Sequence, residues 1–145
     1  MTLVVRRARP EDQLACAQVF VETVAATFPD EPEEGRSAGA YATSIIGEEQ
    51  WVAVDGKHII ALISVYWPTN FIHSLYVLPA FQGRGAGRAL LTEVLRHAKG
   101  DMELKTDKVN VRAFDFYRHL GWRVVGEGAT VSGPWWRMRA PGGAL

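Results

Sequence analysis

The run Leu75-Tyr76-Val77-Leu78-Pro79-Ala80-Phe81-Gln82-Gly83-Arg84-Gly85-Ala86-Gly87-Arg88-Ala89-Leu90-Leu91 changes character twice. It begins as a β-rich strand, passes through alternating glycines and continues as an apolar helix. Glycine lets the backbone turn tightly and come close to a ligand. The first N–H groups of a helix have no intrahelical partner, and the positive end of the dipole lies behind them. Such a turn is an anion site, with a phosphate or pyrophosphate as its natural occupant. Arg84 and Arg88 flank it and offer charge-assisted bonds. Two familiar phosphate loops are excluded. No Gly-Lys-Ser/Thr follows, and Arg88 stands where a G-x-G-x-x-G fingerprint starting at Gly83 needs its third glycine.

Working outward, Phe71 to Leu78 is the strand that enters the turn, and Gly87 to Lys99 is the helix that leaves it. Upstream, Trp51 to Val54 and Ile59 to Trp67 are β-rich runs joined by Asp55-Gly56, a strong hairpin signal. Leu3 to Ala8 reads as a first strand. Pro10 opens a helix with Glu11 and Asp12 in its first turn and an apolar stripe of Leu14, Ala17, Val21, Val24 and Ala25. Phe28-Pro29-Asp30-Glu31-Pro32 breaks it, and a less regular helix covers Glu33 to Ile46. Downstream, Met102 to Lys105 is a short strand, which the strand–helix–strand order makes parallel to the one before the loop. Asn110 caps a helix that runs to Leu120 and stops at Gly121. Trp122 to Val125 and Trp135 to Arg139 are the last strands. Residues 1–139 are expected to form a single domain and 140–145 a loose tail.

The bulk numbers fit this picture. A chain of 145 residues with 48% hydrophobic and 22% charged residues can bury a core without staples. Its single cysteine, Cys16, reads as a small core residue on a helix and cannot form an internal disulfide. No signal peptide or membrane span is evident, so a cytoplasmic location is expected. Net charge is zero, yet residues 1–50 sum to −5 (four basic, nine acidic) and residues 84–145 to +5 (eleven basic, six acidic). Neither part carries the dense basic stripe of a nucleic-acid binder. His58, His97 and His119 show no metal-ligand spacing, so no metal is expected.

The run Leu75 to Leu91 resembles the acetyl-CoA signature of the GNAT superfamily of N-acetyltransferases. The family's Q/R-x-x-G-x-G/A loop is matched by Gln82, Gly85 and Gly87. A second stretch, Asn110-Val111-Arg112-Ala113-Phe114-Asp115-Phe116-Tyr117-Arg118-His119-Leu120-Gly121-Trp122, resembles its N-x-x-A-x-x-F-Y-x-x-x-G-[FW] segment in the family's order and separation. The resemblance implies an α/β (α+β) fold: a mixed, mostly antiparallel sheet of six to seven strands, about four flanking helices and a splayed parallel pair holding CoA. It also implies acetyl-CoA as co-substrate and acetyl transfer to a primary amine by direct attack in a ternary complex.

Carried over by position, the amides of Gln82, Gly83, Arg84, Gly85, Ala86, Gly87 and Arg88 grip the CoA pyrophosphate. The backbone of Leu75 and Val77 follows the pantetheine arm, and one N–H there serves as oxyanion donor. Asn110 contacts pantetheine besides capping its helix. Tyr117 matches the general acid that protonates the departing thiolate. His73 is the candidate base: alternation puts it on the same strand face as Leu75 and Val77, and His73-Ser74-Leu75-Tyr76-Val77 resembles the H-x-L-x-V run of serotonin-type acetyltransferases. Those enzymes carry another histidine two residues earlier, where this chain has Phe71. Glu22, on the first helix, is the alternative base. Phe28, Glu22, Glu31 and Phe71 are the acceptor-site candidates. A small-molecule amine is favoured slightly over a peptide or protein acceptor. A non-catalytic acyl-CoA-binding or sensing module is the rival from another class, and Tyr117 argues against it because a pure binder needs no acid. The family and the tryptophan-rich end at Trp135-Trp136 also raise a homodimer as an expectation.

Overall fold

A computed structural model describes residues 2–142. In chain order it contains β1 (Leu3–Arg7), α1 (Gln13–Thr27), α2 (Ala38–Ser44), β2 (Glu49–Asp55), β3 (His58–Tyr66), β4 (Phe71–Val77), α3 (Ala86–His97), β5 (Glu103–Asp107), α4 (Val111–His119), β6 (Arg123–Thr130) and β7 (Gly133–Arg139). The strands form one sheet in the order β1-β2-β3-β4-β5-β7-β6. Every pairing is antiparallel except β4–β5. This is the mixed, mostly antiparallel sheet and four-helix complement expected from the sequence.

The central strands explain why their sequences are apolar at successive positions rather than at alternate ones. Trp51, Val52 and Ala53 on β2 and Ile60, Ala61, Leu62 and Ile63 on β3 are all buried. Side chains alternate between faces, so both faces must be covered. On one face α1 and α2 bring Cys16, Val19, Phe20, Val24 and Tyr41 against Val52 and Leu62. On the other, α3 and α4 bring Leu90, Leu91, Val94 and Tyr117 against Trp51, Ile63, Leu104 and Met138. The Asp55-Gly56 hairpin forms as expected, with Asp55 opposite His58 and Gly56 at φ +62°.

Several local expectations need correction. The buried residues of α1 are Cys16, Ala17, Val19, Phe20, Thr23 and Val24, which keeps Ala17 and Val24 of the expected stripe, whereas Leu14 is 86% exposed. Alanines on both sides let two stripes fit the same period, and packing against β3 selects the one holding Phe20. The Glu33–Ile46 segment is a 3-10 turn (Glu33–Arg36) followed by α2, separated by Ser37, whose side chain accepts from the Ala40 N–H. The last strand pair is longer than expected, with register running from Arg123↔Arg139 to Thr130↔Gly133. A loose tail from residue 140 is not what begins there. Ala140 is buried and its N–H donates to the Met102 carbonyl at 2.9 Å. The final residues, 143–145, lie outside the described residues.

Asp12 ties β1 to the start of α1. Its carboxylate accepts from the Arg6 guanidinium at 2.7 and 3.1 Å and from the Arg9 N–H at 2.7 Å. The hydrogen bond from Arg6, followed by the backbone bond from Arg9, outweighs burial and holds the carboxyl below its usual range. A lowered folded-state value means that the ionised pair stabilises the fold above the unfolded value, near pH 4, and that this contribution is lost as pH falls through the folded value. Asp12→Asn is therefore expected to be less stable than wild type at pH 7, with the difference shrinking below about pH 4. Urea denaturation from pH 7 to pH 3 measures it, and a difference independent of pH would refute the assignment.

Candidate functional site

The site begins where two strands part. β4 and β5 share parallel register only at Phe71↔Glu103 and Ile72↔Leu104. Beyond Ile72 the edge of β4 faces a gap. The Leu78 N–H donates to the Ile60 carbonyl on β3. Peptide groups along a strand alternate in direction, so Tyr76 also faces β3, whereas Leu75 and Val77 turn their N–H and C=O groups to the gap. The Val77 carbonyl is already engaged by Thr23 Oγ1 at 3.4 Å and Gln82 Nε2 at 3.1 Å. The amides of Leu75 and Val77 are left aimed at the opening.

The three loop glycines are there for two reasons. Gly83 and Gly85 adopt φ of +78° and +90°, and no atom lies within 4 Å of the place a Cβ would take. Their requirement is conformational. Gly87 is helical, and a Cβ there would sit 3.3 Å from Phe116 Cζ, 3.7 Å from Val77 Cγ2 and 3.8 Å from Leu75 Cδ2. Its requirement is space, which lets α3 lie close to β4 and α4. Gly85 is the N-cap of α3 and has no side chain to satisfy the first turn. The Ala89 N–H is bonded to the Gly85 carbonyl, so the N–H groups of Ala86, Gly87 and Arg88 precede the intrahelical ladder and remain available to an anion.

A cavity of about 710 Å³ runs from Thr23 and Phe28 at the end of α1, past Gln82, Gly83, Gly85, Ala86, Gly87 and Arg88, to Asn110 and Tyr117. A smaller one, about 190 Å³, lies between β4 and β5 beside His73, Lys105 and Asp107. Leu75, Tyr76, Asn110, Ala113 and Tyr117 line both. Both spaces therefore border Tyr117. That residue is 8% exposed, with ring contacts to Phe116 and Trp122. Burial pushes its phenol up from its ordinary value, so the hydroxyl stays protonated through neutral pH and can donate. Asn110 Oδ1 accepts from the Ala113 N–H at 3.1 Å, which makes it the N-cap of α4 while it also faces both cavities.

His73 lies in the smaller cavity but not by simple alternation. Ser64 pairs with Ser74 while Val65 pairs with Ile72, so His73 has no counterpart on β3. This bulge swings His73 away from the core face that Ile72, Leu75 and Val77 share. Its Nδ1 reaches Glu48 Oε2 at 2.9 Å. Glu48 in turn accepts from the Ser64 hydroxyl, and Gln50 Nε2 donates to Ser64 Oγ at 2.9 Å.

Other candidates are not gathered. Glu22 is exposed and accepts from Gln18 Nε2 at 3.1 Å, and neither Glu22 nor Glu31 lines either cavity. Phe71 lies at the head of β4 under the Lys105 ammonium, and the Arg84 guanidinium sits 5.5 Å over the Phe81 ring; both are outside the cavity walls. Cys16 is fully buried and its thiol is pushed up to about 11 by desolvation, as befits a core residue. Glu48, Ser64, Gln50, Thr23 and Tyr76 went unnoticed as site residues in the sequence. Among the described residues, no group of His, Cys, Asp and Glu is placed to hold a metal ion, and no helix is long and apolar enough to cross a membrane.

The family model "Acetyltransferase (GNAT) family" matches residues 17–122. Over 58 residues the chain is 45% identical to the N-alpha-acetyltransferase RimI of Mycobacterium tuberculosis, a match covering 38% of this chain and 35% of that protein. The chain thus spans about a third of the length of the curated relatives it matches. Among solved structures, apo YjaB of Escherichia coli superposes with a TM-score of 0.79 at 21% identity, covering 96% of this chain and 97% of that one. The PaiA N-acetyltransferase of Thermoplasma acidophilum, solved in complex with coenzyme A, gives 0.78 at 18% identity, covering 97% and 99%. At these identities the structural likeness speaks to the fold.

The glycine geometry generates a paired test. Gly85→Ala and Gly56→Ala each place a Cβ at positive φ and should each cost about 1–2 kcal/mol of stability. Only Gly85→Ala should also weaken coenzyme A binding, on the order of tenfold. Urea denaturation and calorimetric titration measure the two effects, and equal affinities in the two variants would count against the loop as the phosphate site.

Proposed function

The chain belongs to the acetyltransferase (GNAT) family, and on that premise we propose that it acetylates a primary amine in a ternary complex with acetyl-CoA, using Tyr117 as acid and His73 as base. It is an N-acetyltransferase with acetyl-CoA as co-substrate. The observation that supports the finer reading is that Tyr117 lines both cavities. The larger one joins the free amides of the α3 N-terminus to the gap beside β4, a path suited to pyrophosphate at one end and pantetheine at the other. The smaller one borders the same residue and would receive the acceptor.

In this scheme His73 takes a proton from the ammonium, and the freed lone pair forms the N–C bond at the thioester carbon. An N–H of Leu75 or Val77 receives the negative charge on the carbonyl oxygen. The C–S bond breaks and the thiolate takes the Tyr117 proton. The second amine proton replaces it, giving amide, free thiol and one proton to solvent. The acceptor-side volume of about 190 Å³ favours a compact amine. The likeness to an N-alpha-acetyltransferase favours a second reading, in which the amine is the N-terminus of a peptide.

Tyr117→Phe is expected to lower kcat by about tenfold to a hundredfold while leaving acetyl-CoA affinity within about twofold of wild type. Because the phenol is pushed up, Tyr117 should contribute no alkaline fall in rate between pH 7 and 9. An unchanged kcat where chemistry limits turnover would remove the acid role. Thiol release with a panel of small amines and short peptides separates the two acceptor readings. Turnover confined to peptides would remove the small-amine reading, and no turnover with any amine would remove both.

A further inference from the structure

We propose that Glu48 is a positioning residue for His73, fixing the imidazole tautomer that leaves Nε2 free to accept a proton; this rests on the assignment of His73 as base. A carboxylate can only accept hydrogen bonds. Glu48 Oε2 lies 2.9 Å and Oε1 3.2 Å from His73 Nδ1, so Nδ1 carries the proton in that contact. The other ring nitrogen, Nε2, then presents its lone pair.

Glu48 is itself held from behind. Its side chain is 8% exposed, against 43% for His73. The Ser64 hydroxyl donates to Oε1, and Gln50 Nε2 donates to Ser64 Oγ. Ser64 is fully buried and Gln50 nearly so. Gln50, Ser64 and Ser74 are consecutive register partners across β2, β3 and β4. Gln50 on β2 donates to Ser64 on β3, and Ser64 donates back to Glu48, the residue before β2, whose other oxygen meets the bulged histidine. A surface ion pair needs no such support, whereas a ring that must hold one orientation beside a reacting amine does. The other titratable groups around the cavity that His73 lines are Tyr76, Lys105, Asp107 and Tyr117, and none of them makes a hydrogen bond or ion pair with His73 among the described residues.

The test is Glu48→Gln. Ser64 donates toward this position, so the new amide turns its oxygen to Ser64 and its NH₂ to His73. Nδ1 must then accept, the proton moves to Nε2, and the base is lost. The expected result is a fall in kcat on the order of tenfold to a hundredfold, with acetyl-CoA KM within about twofold of wild type. Nitrogen-15 NMR of the histidine ring should show Nδ1–H in wild type and Nε2–H in Glu48→Gln. Glu48→Asp keeps an acceptor-only group and should retain the wild-type tautomer and part of the lost rate. In a His73→Ala background Glu48→Gln should cause no further loss. An unchanged tautomer in Glu48→Gln, or an equal additional loss in the His73→Ala background, would overturn the proposal. Full activity of His73→Ala would instead overturn the base assignment and leave Tyr117 as acid untouched. Should Glu48→Gln fail to bind acetyl-CoA, Glu48→Asp carries the same readouts, and a wild-type rate with a changed tautomer there would count against the role.

Discussion

The parting of β4 from β5 is the constraint on which the molecule turns. Two register pairs hold the strands together at Phe71 and Ile72, and nothing pairs them afterwards. A sheet interior normally leaves no peptide group unmatched, because an unpaired buried amide loses its bond to water and gains none in return. Here the amides of Leu75 and Val77 face an opening that a ligand can enter. The parting also places α4 where Asn110, Ala113 and Tyr117 reach the opening from one face while His73 reaches it from the other.

The rest of the fold keeps that gap at a fixed width. β2 and β3 are buried on both faces and form a stiff wall behind β4. Gly87 lets α3 approach so closely that an added Cβ would meet Phe116, Val77 and Leu75. At the far end Thr23 of α1 and Gln82 of the loop both bond the Val77 carbonyl, clamping the last peptide of β4 from two directions. Three separate elements thus converge on a strand only seven residues long.

What could be read in the sequence was what is encoded locally. The glycine turn, the Asn110 cap and the hairpin at Gly56 are each specified by a few adjacent residues, and each formed where expected. Periodicity located the helices but not always their faces: α1 is rich in alanine, and an alanine stripe looks alike on either side until Phe20 finds its place against Tyr41 and Tyr76. β6 was underestimated because Gly126 and Gly128 interrupt its apolar pattern, although Gly128 is glycine to admit the Trp135 ring. The Glu48–His73 contact was beyond reach, since the partners are 25 residues apart and meet only through strand register and a bulge.

The bulge has a consequence for how such a site arises. Were His73 absent, Ser64↔Ser74 and Val65↔Ile72 would simply become neighbouring rungs. Ile72 would still face the α3 side and Ser74 the other, so every side chain from Leu75 to Val77 would keep its present neighbours. The histidine therefore occupies the one place in β4 that the ladder does not use. Its side chain is thus presented at the site by a residue that carries no rung of the β3–β4 ladder.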